Sequence, residues 1–153
     1  MKNMKKYLLA AIIAVLTFGC SEKKVVESTY ENGNPREVKF YHKKGGELIL
    51  DRAVVYYENK QKKMEGGYKE TLRNGPWKAW YENGTLWSEG EYMDGKRNGM
   101  GIAYHTNGKK YIEGSYQNDV RVGAWRFYDT TGVLIKEVNF DLVSKVQEGD
   151  SLK

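Results

Sequence analysis

Short runs of aromatic and aliphatic residues alternate along the chain with turns rich in Gly, Asn and Asp. The runs LWSEGEY (residues 86–92) and MGIAYH (residues 100–105) are separated by MDGKRNG, and the second is followed by TNG. Asn-Gly and Asp-Gly between such runs favour β-hairpins, because these residues tolerate positive φ. Glycine recurs too often for a helix, where each would cost about 1 kcal/mol. The pattern therefore predicts short antiparallel strands.

These runs and turns repeat with a period of 24 residues, so the chain is a repeat protein. One column of equivalent positions is acidic: Glu65, Glu89, Glu113 and Glu137. Two columns are glycine: Gly84, Gly108 and Gly132, and Gly75, Gly99 and Gly123. Two are aromatic: Tyr68, Tyr92, Tyr116 and Phe140, and Trp80, Tyr104 and Tyr128. We interpret the glutamates and glycines as structural, with the glutamates accepting hydrogen bonds from turns or tyrosines. Trp77 and Trp125 also share a column, in which Gly101 replaces the tryptophan between them.

A degenerate unit opens the array, since REVKF at residues 36–40 resembles KEVNF at residues 136–140. The step from Glu37 to Glu65 is 28 residues, which indicates an insertion of about four residues near GGELILDRAVV. The repeats thus cover residues 30–141 as about five hairpins, an all-β, single-layer antiparallel meander. A single layer must build its core from its own aromatic rings. We expect Gly90 and Gly114 to leave room for a ring from the next strand.

The first 20 residues have the pattern of an export signal. A basic MKNMKK precedes YLLAAIIAVLTF, which is shorter than the ~20 residues that span a bilayer. The segment resembles a bacterial lipoprotein signal, which implies a signal peptide at residues 1–19 and acylation of Cys20, the only cysteine. The alternative is an ordinary secretory peptide that leaves a free thiol. We predict a polar tether at residues 20–29, a polar tail or cap at residues 142–153, and a lipid anchor in the cell envelope, at the outer membrane if the cell has one.

Charge and composition narrow the function classes. The net charge of +5 falls to +2 without the three lysines among the first six residues, which does not favour nucleic-acid binding. His42 and His105 have no metal-ligand pattern around them, and GKRNGMG at residues 95–101 lacks the Lys-Ser/Thr ending of a phosphate loop. No catalytic set is recognisable, and regularly repeated glutamates are unlike a catalytic pair. We therefore expect no enzymatic activity, metal or cofactor.

Neighbouring aromatic residues in a strand point to opposite faces of the sheet, so some rings must lie outside the core. Exposed aromatic rows mark binding surfaces for proteins, glycans or lipid headgroups. The alternative is that both faces are covered by Lys and Arg stems and by curling of the sheet. Our candidate binding surface consists of Trp80, Trp87, Tyr104, Tyr111 and Tyr128.

Three segments resemble the MORN repeat and its bacterial variant: DGKRNGMGIAYHTNG (94–108), YIEGSY (111–116) and NGPWKAWYENG (74–84). The resemblance is good over residues 56–140 and poor over residues 30–55. It implies a twisted single-layer sheet that binds proteins or lipids and has no enzymatic activity. Members of the variant family are often assigned an antitoxin role. Our leading hypothesis is a lipid-anchored scaffold that docks another envelope protein. The alternatives are glycan or headgroup binding, and an antitoxin or immunity role.

Overall fold

The computed structural model describes residues 22–141, and ten β-strands account for most of them. The strands are β1 (Lys23–Thr29), β2 (Pro35–Lys44), β3 (Glu47–Tyr56), β4 (Lys62–Lys69), β5 (Leu72–Trp80), β6 (Leu86–Met93), β7 (Lys96–Tyr104), β8 (Lys110–Gln117), β9 (Val120–Tyr128) and β10 (Leu134–Asn139). Each strand pairs antiparallel with the next, in the order β1 to β10, within one sheet. The predicted five-hairpin meander is therefore confirmed. The insertion lies in β2, β3 and the turn between them. β2 and β3 have ten residues each, whereas the equivalent strands β4 and β5 have eight and nine.

The predicted tether at residues 20–29 is wrong for Lys23–Thr29, which form β1. This segment lacks an apolar period because most of its side chains are exposed, and an edge strand needs no buried stripe. Its backbone pairs with β2 instead, for example Val26 with Val38. β1 is the first strand of the first hairpin, so the array begins seven residues earlier than we predicted.

A five-residue turn closes each of the five hairpins, and its sequence in the third is Tyr81-Glu82-Asn83-Gly84-Thr85. The Tyr81 N–H donates to the Thr85 carbonyl, and the Gly84 N–H donates to the Tyr81 carbonyl. The Asn83 side chain accepts from the Thr85 N–H at 3.0 Å. Gly84, Gly108 and Gly132 have φ of 85°, 81° and 89°, a region that favours glycine. The repeated Asn-Gly therefore defines the turn. The second column also has positive φ: Gly75, Gly99 and Gly123.

The strand register gives the sheet two distinct faces, because residues directly opposite each other in neighbouring strands point to the same side. We call one the tryptophan face, which carries Trp77 and Trp125. The other, the glutamate face, carries the acidic column: Glu65, Glu89, Glu113 and Glu137. At its β2–β3 end the glutamate face buries an aliphatic cluster of Val38 and Val54, each 1% exposed, with Phe40.

The core of the tryptophan face consists of rings packed on glycines of the preceding strand. Trp77 lies directly on Gly66 and Trp125 directly on Gly114, so closely that a Cβ on either glycine would overlap the indole. The two indoles are only 5% and 2% exposed although no second layer covers them. The expectation for Gly114 is confirmed. The same expectation for Gly90 is wrong, because the residue that faces it is Gly101 and no ring lies on it.

The predicted signal peptide at residues 1–19, Cys20 and the predicted tail or cap at residues 142–153 lie outside the described residues. Within residues 22–141 no helix has the length and hydrophobicity needed to cross a membrane.

Candidate functional site

A β-bulge recurs beside each five-residue turn and determines which aromatic side chains are exposed. In β6 the register passes from Ser88 opposite Ala79 to Leu86 opposite Trp80, so Trp87 has no partner of its own. The same skip recurs in β2, β4, β8 and β10. A bulge leaves one residue unpaired and turns the strand locally. Four of the skipped residues keep the 24-residue spacing and form what we call the bulge column: Lys63, Trp87, Tyr111 and Ile135. The fifth, Arg36 in β2, lies beyond Lys63.

The bulge column is the most exposed apolar feature of the glutamate face. Trp87 is 49% exposed, Tyr111 47% and Ile135 64%. Column members lie two strands apart, which is about 10 Å at the ~4.8 Å strand spacing, so the column extends over roughly 30 Å. Val133 and Leu134, at 59% and 48% exposed, continue it at the β10 end.

Each aromatic member of the column packs on the first residue of the adjacent turn. The Trp87 and Tyr81 ring centroids are 6.2 Å apart, and those of Tyr111 and His105 are 5.0 Å apart in a T-shaped contact. These contacts hold the exposed rings in place at low entropic cost, which favours recognition.

The first residue of each turn also links its hairpin to the next. The hydroxyls of Tyr30, Tyr57 and Tyr81 donate to the carbonyls of Tyr56, Trp80 and Tyr104 at 2.8, 2.8 and 2.7 Å. His105 takes the tyrosine position in the fourth turn, and its Nε2 lies 3.0 Å from the Tyr128 carbonyl. His105 therefore has a structural partner. His42 likewise pairs with Asp51 at 2.6 Å. Over residues 22–141, no three His, Cys, Asp or Glu side chains gather in a way that could hold a metal ion.

The candidate residues Tyr104 and Tyr128 are tied into a hydrogen-bond network with the glutamates. The Tyr104 hydroxyl donates to Glu89 at 2.7 Å, and the Tyr128 hydroxyl donates to Glu113 at 2.5 Å. Lys110 also binds Glu113, at 2.7 Å. The interpretation of these glutamates as acceptors of tyrosine hydrogen bonds is therefore confirmed at Glu89 and Glu113.

The network shifts the ionisation of its members. The hydrogen bond from Tyr104 is the main cause that lowers the pKa of Glu89. Lys110 and then Tyr128 lower the pKa of Glu113. Burial, followed by the bond to Glu89, raises the pKa of Tyr104 to about 12. Both glutamates are thus held ionised, whereas a general acid needs a raised pKa.

Strand alternation and register bring all five candidate aromatic residues to the glutamate face, but in two groups. Trp87 and Tyr111 belong to the exposed bulge column. Trp80, Tyr104 and Tyr128 are half-buried in the next column. Our sequence reasoning missed Lys63 and Ile135, although both keep the 24-residue spacing with Trp87 and Tyr111. That spacing was the available signal, and the bulge that exposes the column was not visible in it.

The fold is thus a single-layer sheet of β-hairpin repeats that carries an exposed apolar column on one face. Three stretches of this chain match the family model for the MORN repeat variant: residues 73–94, 97–118 and 121–141. They cover the hairpins β5–β6, β7–β8 and β9–β10. No curated protein matched the chain in a sequence search. These three stretches are thus similar to the MORN repeat variant, and this similarity suggests a protein-interaction or binding role.

Proposed function

We propose that this protein is a non-catalytic, lipid-anchored binding module of the bacterial cell envelope, which docks another envelope protein through the bulge column. The observation that carries the proposal is the exposure of Trp87, Tyr111 and Ile135 in one row on one face. Aromatic residues held in place at a surface are typical centres of protein interfaces.

The chemistry of the column favours a protein partner over a glycan. Only two of its four members are aromatic, and its β10 end is aliphatic, with Val133 and Leu134 beside Ile135. A glycan is usually held by flat rings together with polar groups, whereas an aliphatic strip suits apolar side chains of a protein. Lys63 and, beyond it, Arg36 place two positive charges at the other end, so we expect a partner surface that is apolar with acidic groups at one end.

The proposal that the protein is non-catalytic is supported by the contacts and the ionisation of the repeated glutamates. Glu89 and Glu113 accept hydrogen bonds from tyrosines and contact lysines, and their pKa values are lowered. Carboxylates held in this way are poor proton donors, and their oxygens are already engaged by tyrosine hydroxyls and lysines. We therefore assign these glutamates a structural role in the sheet that carries the bulge column.

The anchor is tested separately, on the full-length protein in its native host. The mass of the mature N-terminal peptide should equal that of a peptide that begins with acylated Cys20. The Cys20→Ser variant should lose the lipid and leave the membrane fraction. An unmodified Cys20 in a soluble protein would contradict the anchor and leave the docking surface untested by that measurement.

The docking surface is tested by comparing two double variants of the anchored protein. Trp87→Ala with Tyr111→Ala removes the aromatic centre of the column. Met93→Ala with Val120→Ala removes similarly exposed apolar side chains, at 52% and 63%, from the opposite turns. After crosslinking and recovery through a C-terminal tag, the first variant should lose at least about tenfold of the bound partner, as expected for central aromatic contacts worth about 1.4 kcal/mol or more in total. The second should retain it.

Equal recovery with both double variants would contradict the proposed surface. Circular dichroism must show both variants folded for the comparison to count. A lipidated protein that recovers no partner, but sediments with purified cell wall or anionic vesicles in a Trp87-dependent manner, would replace the protein partner by a glycan or headgroup.

A further inference from the structure

The tryptophan face contains three equivalent seats for an aromatic ring, and the chain fills two of them. In the first seat Trp77 lies on Gly66, with Tyr68 and Tyr92 at centroid distances of 5.4 and 5.8 Å. The Arg73 guanidinium lies 4.2 Å from the Trp77 ring centroid, and the Trp77 indole N–H donates to the Gly67 carbonyl at 3.0 Å.

The third seat repeats the first, 48 residues further along the chain. Trp125 lies on Gly114, flanked by Tyr116 at 4.9 Å and Phe140 at 6.0 Å. Arg121 lies 4.4 Å from its ring centroid, and its N–H donates to the Ser115 carbonyl at 3.2 Å. A seat thus consists of a glycine floor, two flanking rings, an arginine above, and the carbonyl that follows the floor glycine.

The middle seat has every one of these parts except the tryptophan. Gly90 is its floor, Tyr92 and Tyr116 are its flanking rings, and Arg97 is its arginine. Gly101 occupies the position from which the indole would project, and the Tyr116 ring leans over it, 3.0 Å from where a Cβ would lie. Gly66 and Gly114 are buried beneath their rings, whereas Gly90 and Gly101 are half-exposed. Open space of about 350 Å³ adjoins them, lined by Trp77 and Trp125 on this face and by Glu89 and Ile102 on the other.

Arg97 is already held over the middle seat. Its guanidinium donates to the hydroxyls of Tyr92 at 3.4 Å and Tyr116 at 3.1 Å. It therefore lies at the entrance with its orientation fixed, where a ring bound on Gly90 would gain a cation–π contact. Glu91 is equivalent in the 24-residue period to Gly67 and Ser115, whose carbonyls accept the indole N–H in the filled seats.

We propose that the middle seat binds the indole of a tryptophan side chain from a partner protein. The two neighbouring seats define the ligand, because each holds an indole with the same floor, flanking rings, arginine and carbonyl. The occupants of both filled seats are side chains. Small apolar spaces in proteins do bind aromatic rings. This site lies on the face opposite the bulge column, so the two surfaces can be tested independently.

The probe is N-acetyl-L-tryptophanamide, which carries the side chain without a partner, and binding is followed by NMR titration of the Gly90 and Gly101 amides. We expect saturable shifts centred on these two residues. 1-Methylindole, which cannot donate to the Glu91 carbonyl, should bind about fivefold more weakly than free indole, as expected for one lost hydrogen bond.

Gly90→Ala is the decisive variant. A Cβ on Gly90 meets nothing closer than the Met100 carbonyl at 3.5 Å, so the fold should be unaffected, but the methyl group would lie where the ring must rest. Binding should fall at least tenfold. Met93→Ala removes an exposed side chain of the same strand that does not line this space, and should leave binding unchanged. Gly101→Trp should fill the seat from within and abolish binding, although Tyr116 must shift to admit it, because its ring lies 3.0 Å from the new Cβ.

Retention of full affinity by Gly90→Ala would overturn the proposal, and so would shifts located away from Gly90 and Gly101. Binding of free indole without N-acetyl-L-tryptophanamide would overturn the assignment to a side chain, because the seat would then admit only a free ring.

Discussion

Gly114 and Gly90 occupy equivalent positions in the repeat, but only Gly114 has an aromatic ring packed on it, so we expect alanine substitutions at the two positions to have opposite effects on stability. Gly114→Ala places a methyl group where the Trp125 indole lies, whereas Gly90→Ala places it at ordinary van der Waals distance, 3.5 Å, from the Met100 carbonyl. Neither glycine has a positive φ, so the difference between the two variants reports on packing and not on backbone strain.

The magnitude follows from the burial of Trp125, which is 2% exposed. A buried ring of this size removes roughly 150–250 Å² from water, an upper bound of about 4–6 kcal/mol at ~25 cal/mol/Å². Displacement by one methyl group loses part of this area, and overpacking of this kind costs about 1–3 kcal/mol. The hydrogen bond from Trp125 to the Ser115 carbonyl contributes about 1 kcal/mol more. We expect Gly114→Ala to lower the free energy of unfolding by about 2–4 kcal/mol.

The control, Gly90→Ala, should leave the free energy of unfolding unchanged or raise it by about 0.5–1 kcal/mol, because alanine loses less backbone entropy than glycine in a strand. Urea unfolding followed by circular dichroism measures both variants. Hydrogen exchange of the β8 and β9 amides should show the local loss in Gly114→Ala. Equal stability of the two variants would refute the conclusion that rings seated on glycines form the core of the tryptophan face.

Three further predictions concern the links between hairpins and the glutamate network. Tyr81→Phe removes the hydroxyl that donates to the Tyr104 carbonyl and should cost about 1 kcal/mol in urea unfolding, whereas Tyr111→Phe, whose hydroxyl has no hydrogen-bond partner within residues 22–141, should cost nothing measurable. Tyr104→Phe should raise the pKa of Glu89 measured by NMR titration. Because the pKa of Glu89 is lowered in the folded protein, Glu89 stabilises the fold above its unfolded pKa of about 4.3, and this stabilisation is lost as the pH falls through the folded pKa. The Tyr104→Phe variant should therefore lose less stability in acid than the unsubstituted protein. The same loss of stability in acid for both proteins would contradict this. The Tyr104 phenol should ionise near pH 12, as measured from the absorbance difference between the unsubstituted protein and Tyr104→Phe. Its contribution to stability is therefore complete below the ordinary pKa of 10.0 and is lost as the pH rises through about 12. Ionisation of Tyr104 near pH 10.0 would contradict this prediction.

The hairpin meander could be predicted from the sequence because its signals are local. Asn-Gly at residues 83–84 and 107–108 determines where the chain turns, and the alternation of runs and turns determines the strand count between them. β1 could not be predicted in this way, because an exposed edge strand carries no periodic apolar pattern and is held by its backbone bonds to β2.

The candidate site was predictable only in part, since exposure depends on register. Trp80 and Trp87 are both strand aromatics in the sequence. The bulge between β5 and β6 leaves Trp87 unpaired and exposed, while Trp80 keeps a partner in Leu86 and is half-buried. The open middle seat could be located by aligning Gly101 with Trp77 and Trp125. The roles of Gly90 as its floor and of Arg97 as its arginine could be inferred only from the packing around Trp77 and Trp125 in the structure.

Site-specific photo-crosslinking tests the central claim, that the bulge column is the docking surface, most directly. A photoreactive phenylalanine derivative replaces Trp87 or Tyr111 in the anchored protein, and Met93 or Val120 in matched controls of similar exposure. We expect one crosslinked envelope protein from positions 87 and 111, and no such product from positions 93 and 120. The crosslinked product should disappear when Ile135→Asp is added. The same product from all four positions, or from the two controls alone, would contradict the claim.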